Sequence, residues 1–416
     1  MKHTYTDLRE FVPQGWKVAP LRWYLSCKSG ESIETNFVEK IPTDESNIPV
    51  IGGNGVMGYS NQINVNFETI SIGRVGALCG NTHYINYPTW ITDNSLLINR
   101  YNKAEINLEF LKFVLEQLNL NQYSTSTAQP LITGETIKKR KIALPSVDNQ
   151  KKIVNYIYRK TSEIDELVNS KQKLINLLEN QRQSIITEAV TKGLNPNVKM
   201  KDSGVDWIGE IPDHWEISKI KYQADINKNT LAENTDSLYE MQYIDIGSVN
   251  SKGELSTLEK YRFSDAPSRA RRKVKKGDTI VSTVRTYLKA ISTIESEDEN
   301  LVCSTGFAVL TARKTIREKY LSYLFKSTIY VDEIVSRSTG VSYPAINASE
   351  IGNLECLLPS LEEQKEIEIY IEKRLLEIDK LIKIIIKQIE KLKEYRQSLI
   401  YEAVTGKIDV RELELD

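Results

Sequence analysis

The 416-residue chain has few of the residues that build metal and disulfide sites. Its four cysteines, Cys27, Cys79, Cys303 and Cys356, are scattered, with no C-x-x-C pair, and its only histidines are His3, His83 and His214. This spacing argues against a structural zinc site and a disulfide framework, and reduced, partly buried thiols are the expectation. Long apolar runs are also missing. The greasiest stretch, "LIKIIIKQI" (Leu381–Ile389), is cut by lysines, far from the roughly 18 unbroken apolar residues of a membrane span. The opening "MKHTYTDLRE" has no apolar signal-peptide core, so a cytoplasmic protein is expected. Nor is there an excess of one charge: 55 Lys and Arg face 56 Asp and Glu, a net charge of −1. That argues against a protein that coats nucleic acid non-specifically through bulk positive charge, but leaves room for a local basic surface.

What the chain does have is an internal repeat. "LPSVDNQKKIVNYIYRKTSEIDELVNSKQKLINLLENQRQSIITEAVT" (Leu144–Thr191) aligns without a gap with "LPSLEEQKEIEIYIEKRLLEIDKLIKIIIKQIEKLKEYRQSLIYEAVT" (Leu358–Thr405), at a constant offset of 214 and with roughly half the positions identical. Pro130, Ile132 and Ile137 match Pro344, Ile346 and Ile351 at the same offset, whereas Trp16 and Trp215 differ by 199. The second half therefore carries about 15 extra residues between Trp215 and Pro344. The pattern is variable block, constant block, variable block, constant block.

Each constant block reads as one long helix. Ser146 and Ser360 are placed as N-caps, the latter with Glu363 as a capping box. Ile157, Ile164, Val168, Ile175, Leu178, Ile185 and Ala189 recur in steps built of threes and fours, as do Ile371, Ile378, Ile382, Ile389, Leu392, Leu399 and Ala403. This is the narrow apolar seam of a coiled coil. Gly193 and Gly406 follow as helix stops. About 40 residues give a rod near 60 Å long. A single seam needs a partner, and the other copy, running antiparallel, is the simplest one. The competing reading pairs each helix with a different protein.

The variable blocks read as mixed α/β. Strands are expected in "ETISIGRVGALCGN" (68–81), "NSLLINRY" (94–101), "MQYIDIGSV" (241–249) and "GDTIVSTVRTYLKAIST" (277–293), and short helices in 107–119 and 317–327. Polar, turn-rich residues 191–206 read as a linker. "IPVIGGNGVMGYS" (Ile48–Ser60) contains G-x-G-x-x-G, but the residues after Gly58 lack helical periodicity and lead into a strand. A nucleotide cradle needs a helix there. The glycines suit tight turns, which leave Asn54 or Tyr59 free to approach a ligand.

The duplicated helix with "RQSIITEAVT" and "RQSLIYEAVTGKIDVR", together with "KDSGVDWIGEIPDHWEISKIK" (Lys201–Lys221), resembles the specificity subunits of type I restriction-modification enzymes. The resemblance implies an α+β fold: two α/β target recognition domains separated by two long antiparallel coiled-coil helices, as a pseudo-twofold internal repeat. It divides the chain into recognition domain 1 (1–143), spacer helix 1 (144–194), a linker (195–212), recognition domain 2 (213–357), spacer helix 2 (358–408) and a tail (409–416). Each domain would read one half of a bipartite, asymmetric target in double-stranded DNA. The frame would dock two methyltransferase subunits, and restriction subunits would add translocation and cleavage. The chain itself would be non-catalytic and need no cofactor, metal or membrane.

Reading bases takes a few groups at base edges: Arg and Lys for guanine, Asn and Gln for adenine. In the second block the best segment is "VRTYLKA". As a strand it would put Arg285, Tyr287 and Lys289 on one face, as base readers or as ordinary exposed charges. Arg271 and Arg272 in "SRARRKVKKGD" suit phosphates or a solvated loop. "RSTGVSYPAIN" (Arg337–Asn347), with Ser342 and Tyr343, matches in position "YSTSTAQPLIT" (Tyr123–Thr133), with Thr125 and Gln129; both are hydroxyl-rich loops before a Pro-x-Ile. In the first block the candidates are Asn54, Tyr59, Arg74 and, in "KKRK", Lys139. Two rival functions compete with this reading. A stand-alone DNA methyltransferase would need an Asn/Asp-Pro-Pro-aromatic loop, and "LNPNV" (Leu194–Val198) lacks the second proline and the ring. A coiled-coil adaptor without a DNA role fits the seams but leaves the divergent blocks unexplained.

Overall fold

The computed structural model of the chain describes residues 12–100, 105–125, 129–250, 252–340 and 343–410. The chain divides into two compact units, Met1–Lys171 with Lys387–Asp416, and Gln172–Ile386. The first unit contains β1 (Lys17–Pro20), β2 (Leu25–Ser29), β3 (Ile48–Gly52), β4 (Gly55–Ser60), β5 (Thr69–Gly73), β6 (Thr82–Ile85), β7 (Trp90–Ile91), β8 (Ser95–Arg100), α1 (Leu108–Gln117), α2 (Gly134–Lys138), β9 (Lys141–Leu144) and the start of α3 (Val147–Lys192). One sheet has the order β2-β8-β5-β6, a second the order β4-β3-β7, and β1 pairs with β9. All five residues of β5 are buried although polar and apolar side chains alternate along it: Ile70 and Ile72 enter the core, and the buried Thr69 Oγ1 donates to Ile98 O at 2.6 Å. Asn107 caps α1 by accepting from the Phe110 amide at 2.8 Å. The helix buries Phe110, Leu111, Val114 and Leu115 in the same core as Ile70, Ile72 and Ile98.

In the second unit follow β10 (Met200–Asp202), β11 (Glu210–Pro212), β12 (Glu216–Lys219), α4 (Ile220–Gln223), β13 (Ala224–Ile226), β14 (Glu240–Ile244), β15 (Glu259–Arg262), β16 (Ala270–Lys273), β17 (Thr279–Ser282), β18 (Ile291–Thr293), β19 (Leu301–Ser304), β20 (Phe307–Ala312), α5 (Glu318–Lys326), α6 (Thr328–Ser336), α7 (Ala348–Asn353), β21 (Glu355–Leu358) and the start of α8 (Leu361–Thr405). The strand order β13-β20-β17-β18 repeats that of the first unit, and β12 pairs with β21 as β1 does with β9. The other sheet, β15-β14-β19-β16, runs β14 parallel to β19 as β3 runs parallel to β7, and adds β16 at its edge.

The long helices start as expected. Ser146 Oγ accepts from the Asn149 amide, and Ser360 Oγ from the Glu363 amide at 3.2 Å. The expected capping box at Ser360 is different: the Glu363 carboxylate turns to Trp215 Nε1 at 3.0 Å and His214 Nε2 at 2.9 Å. A buried indole N–H needs an acceptor more than the helix end does. Gly193 and Gly406 both have positive φ just past the helices. Within the first unit, Ile157 and Ile164 of α3 share a core cluster with Leu399 and Ala403 of α8. There Asp165 pairs with Arg396 at 3.1 Å, and Lys171 donates to Gln388 at 2.7 Å. Within the second unit, Arg182 pairs with Asp379, and Ile186 and Ala189 share a cluster with Ile367 and Ile371. In each unit the residue numbers run in opposite senses along the two segments. Leu178, Ile185, Ile378, Ile382 and Ile389 are buried as the seam requires, while Val168, Ile175 and Leu392 are half-buried.

Four segments depart from expectation. The strand expected over 68–81 ends at Gly73 and gives way to a turn before Thr82. The strand expected over 241–249 ends at Ile244 and gives way to a 3₁₀ turn, Ile246–Ser248. The strand expected over 277–293 is interrupted by a 3₁₀ turn, Thr286–Leu288. Residues read as a linker carry the β10–β11 hairpin, with Ile211 fully buried and Trp207 and Ile208 packed against the same core.

Truncating Ile371 to alanine, at a fully buried seam position, is expected to lower unfolding free energy by about 2–5 kcal/mol. Leu177→Ala, at a position 63% exposed on the same pair of helices, should change it by less than about 0.5 kcal/mol. Urea denaturation of the two variants checks the contrast.

Candidate nucleic-acid interface

In each unit the central strand of the four-stranded sheet ends in a tight turn, pinned by a second loop. In the first unit Ile132 N donates to Arg74 O at 2.9 Å and Gly76 N to Pro130 O at 2.9 Å, and Val75 bridges Leu131. In the second unit Ile346 N donates to Thr283 O at 2.9 Å and Arg285 N to Pro344 O at 2.8 Å, and Val284 bridges Ala345. The pinning loops correspond at the offset of 214 and the turns at 209. Of the extra residues in the second half, ten therefore precede the turn and five follow it. "GALCG" (Gly76–Gly80) and "RTYLK" (Arg285–Lys289) occupy the same place on the same scaffold.

This correspondence corrects the strand reading of Arg285, Tyr287 and Lys289. The three do not alternate along a strand. Arg285 and Lys289 flank the 3₁₀ turn in left-handed conformations, with φ of 51° and 54°. The positions they fill are glycines in the first unit, Gly76 at 91° and Gly80 at 93°. A non-glycine residue held there costs on the order of 1–3 kcal/mol. All three side chains are exposed, and so is Tyr343, whose ring centroid lies 4.8 Å from the Arg285 guanidinium. Thr286 Oγ1 and Ser338 Oγ, 2.8 Å apart, tie the turn to the loop beside it. Sequence inspection missed this tie, because only the fold brings 286 beside 338. Ser342 lies outside the described residues.

The first unit presents different chemistry. Gly53 and Asn54 form the tip of the β3–β4 hairpin, so the G-x-G-x-x-G run is a turn followed by a strand. Asn54 Oδ1 accepts from Asn81 Nδ2 at 3.1 Å. Tyr59 is half-buried in β4, paired with Pro49, and does not join Asn54 at the tip. Arg74 is a strut: its Nη1 donates to Ser29 Oγ at 3.0 Å and Asp93 O at 3.3 Å. An open groove of about 490 Å³ lies between hairpin and turn, lined among others by Asn54, Val56, Met57, Leu78 and Gln129. Thr125 is exposed, and its Oγ1 accepts from the Leu131 amide at 3.1 Å. The exposed apolar residues Val56, Met57 and Leu78 were not among the sequence candidates, since single apolar residues in a loop give no periodic signal.

The remaining basic candidates separate by burial. Lys139 is exposed at the end of α2. Its neighbours are engaged: Lys138 pairs with Glu135, and the Arg140 guanidinium lies 4.2 Å from the Tyr123 ring centroid. The stretch around Arg271 and Arg272 is not a loop but β16, with Arg272 opposite Cys303. Arg271 packs 4.7 Å from the Phe263 ring centroid. Arg272 is half-buried, and burial pushes its guanidinium below the usual range and the Cys303 thiol up to about 12. Enclosed in this way, Arg272 is poorly placed for a phosphate, whose contacts come from side chains at the surface. No group of His, Cys, Asp and Glu able to hold a metal ion occurs among the described residues.

Residues 13–180 and 212–393 match the family described as "Type I restriction modification DNA specificity domain". The chain belongs to this family. It is 26% identical over 315 residues to the specificity subunit of type I restriction enzyme MjaVIII of Methanocaldococcus jannaschii, covering 73% of this chain and 70% of the relative. Among solved structures it is similar to the HsdS subunit from Thermoanaerobacter tengcongensis, with a TM-score of 0.53 at 16% identity over 95% of this chain and 98% of that one. A chain from a study of complex assembly and conformational transition of the type I R-M system gives a TM-score of 0.67 at 16% identity, over 95% of this chain and 99% of that one. At these identities the two likenesses concern the fold.

An alanine Cβ at Gly80 would come 2.7 Å from the Asn121 amide nitrogen on a backbone of φ 93°. Gly80→Ala is expected to lower unfolding free energy by about 1–3 kcal/mol. Gly76→Ala meets nothing within 4 Å and should cost about 1 kcal/mol, from backbone strain alone. Thermal unfolding of both variants measures the difference.

Proposed function

We propose that this chain is the DNA-specificity subunit of a type I restriction-modification complex, acting in the cytoplasm. Residues 1–143 and 213–357 each read one half of a bipartite target in double-stranded DNA. The helices of 144–194 and 358–408 pair as an antiparallel coiled coil with pseudo-twofold symmetry, set the spacing and dock two methyltransferase subunits, with restriction subunits joining them. The chain carries no chemistry of its own. The observation that carries this reading is one scaffold bearing two unlike turns, Gly76–Gly80 and Arg285–Lys289, at matching positions. A frame kept constant while its tips diverge suits two readers of different sequence, and a duplex with twofold-related strands suits a reader with the same symmetry.

Antiparallel pairing draws support from the ion pairs. Asp165–Arg396 and Arg182–Asp379 become each other when 214 is added to Asp165 and Arg182. A repeat pairing with itself head to tail requires that relation. A methyltransferase working alone is disfavoured because Leu194–Val198 supplies neither a second proline nor an aromatic ring. An adaptor without a DNA role offers no reason for the divergence of the two turns.

Co-expression with candidate modification subunits, followed by genome-wide mapping of methylated bases, should reveal two unlike short half-sites at one fixed separation. A single contiguous or palindromic motif would overturn the reading. So would methyl transfer by the purified chain alone.

A further inference from the structure

We infer that Arg285 is a specificity-determining residue that reads a guanine in the half-site recognised by the second unit. This rests on the specificity-subunit reading above and names the base chemistry of that site. Among the described residues, four that are not glycine have positive φ: Asn119, Asn227, Arg285 and Lys289. Asparagine tolerates that conformation; arginine and lysine do not favour it. The first unit shows what the fold itself asks for at these two places, since Gly76 and Gly80 fill them: Gly76 N and Arg285 N donate alike to Pro130 O and Pro344 O, while Gly80 N donates to Gly73 O and Lys289 N to Thr286 O. A cation in a glycine position is therefore no requirement of the turn. Its side chain must serve something outside the fold, as strained positions at functional sites do.

The chemistry of the two side chains indicates what that is. Neither Arg285 nor Lys289 has a carboxylate partner among the described residues, and both are exposed. Arg285 instead lies against the Tyr343 ring. That contact limits its freedom while using none of its five N–H donors. A held, planar, unspent donor fork matches the O6 and N7 acceptors of guanine in the major groove, the commonest specific pairing of an arginine with DNA. Lys289, a point charge three residues beyond Thr286, suits the same guanine-rich edge or an adjacent phosphate. The first unit offers amides and apolar groups at the matching place, Asn54, Gln129, Met57 and Leu78, which is the chemistry of adenine and of the thymine methyl.

The test uses the complex with its modification subunits on duplexes in which each position of both half-sites is replaced in turn. It compares the native chain with Arg285→Gly, which installs the residue found at the matching place in the first unit. Thermal unfolding should show Arg285→Gly at least as stable as the native chain. Discrimination should collapse about tenfold to a hundredfold at one G·C pair and stay unchanged at every other position. A uniform loss across all sequences with a shallower salt dependence would assign Arg285 to a phosphate and overturn the inference. A loss confined to an A·T pair, or no loss at all, would overturn it too. If the native complex shows no sequence preference, the specificity-subunit reading itself falls.

Discussion

Each recognition block is fixed to its long helix by one buried glutamine. Gln150 and Gln364 are both fully buried. Gln150 Oε1 accepts from the Asn107 amide at 2.8 Å, and its Nε2 donates to Glu105 O and Pro145 O, both at 2.9 Å. Gln364 repeats the pattern with Arg317 N, Thr315 O and Pro359 O. One side chain thus joins the start of a short helix of the block, α1 or α5, to the start of a long one. The link sets the start of the long helix against its block, and in the second unit buried Glu368 reinforces it by accepting from Arg317 Nε and the Tyr320 amide. Removing such an amide would leave buried donors and acceptors without partners, at about 1–3 kcal/mol.

Around that link, the structure separates what must be constant from what is free to vary. The four-stranded sheets, the closing strand pairs and the pinning loops recur in the same order. The turns they support share backbone hydrogen bonds and little else. Backbone bonding is indifferent to side-chain identity, so a turn held through N–H and C=O groups can change its chemistry without losing its place. The limit is steric: Gly80 has Asn121 close behind it, whereas the second unit has room for Lys289 at the matching position.

Much of this was legible in the sequence because it is periodic or duplicated. The seams from Ile157 to Ile185 and from Ile371 to Leu399 follow helical spacing, the serine caps sit where an apolar run begins, and the offset of 214 needs no fold to be seen. The interface was less legible. "VRTYLKA" looks like a strand because valine, tyrosine and leucine favour one, but the ladder that β17 makes with β20 ends at Ser282. Beyond it, tertiary contacts with the loop at Pro344 bend the chain into a turn. Arg74 looked like a free cation and is spent on Ser29 and Asp93. Local composition carries no information about partners 20 to 60 residues away. The repeated Gln150 and Gln364 were visible as identities, yet nothing local marks a glutamine as buried.

The chain enters and leaves each block through a single two-stranded ladder: β1 with β9, where Lys17 faces Leu144, and β12 with β21, where Glu216 faces Leu358. Doorway and exit are side by side. Loops between them can lengthen or shorten while the residues that meet Gln150 or Gln364 stay in place, and the doorposts need not move. The ten and five residues by which one block outgrows the other are absorbed in this way. A cassette with adjoining ends can differ from its counterpart in length and in chemistry while the frame that carries it keeps its shape.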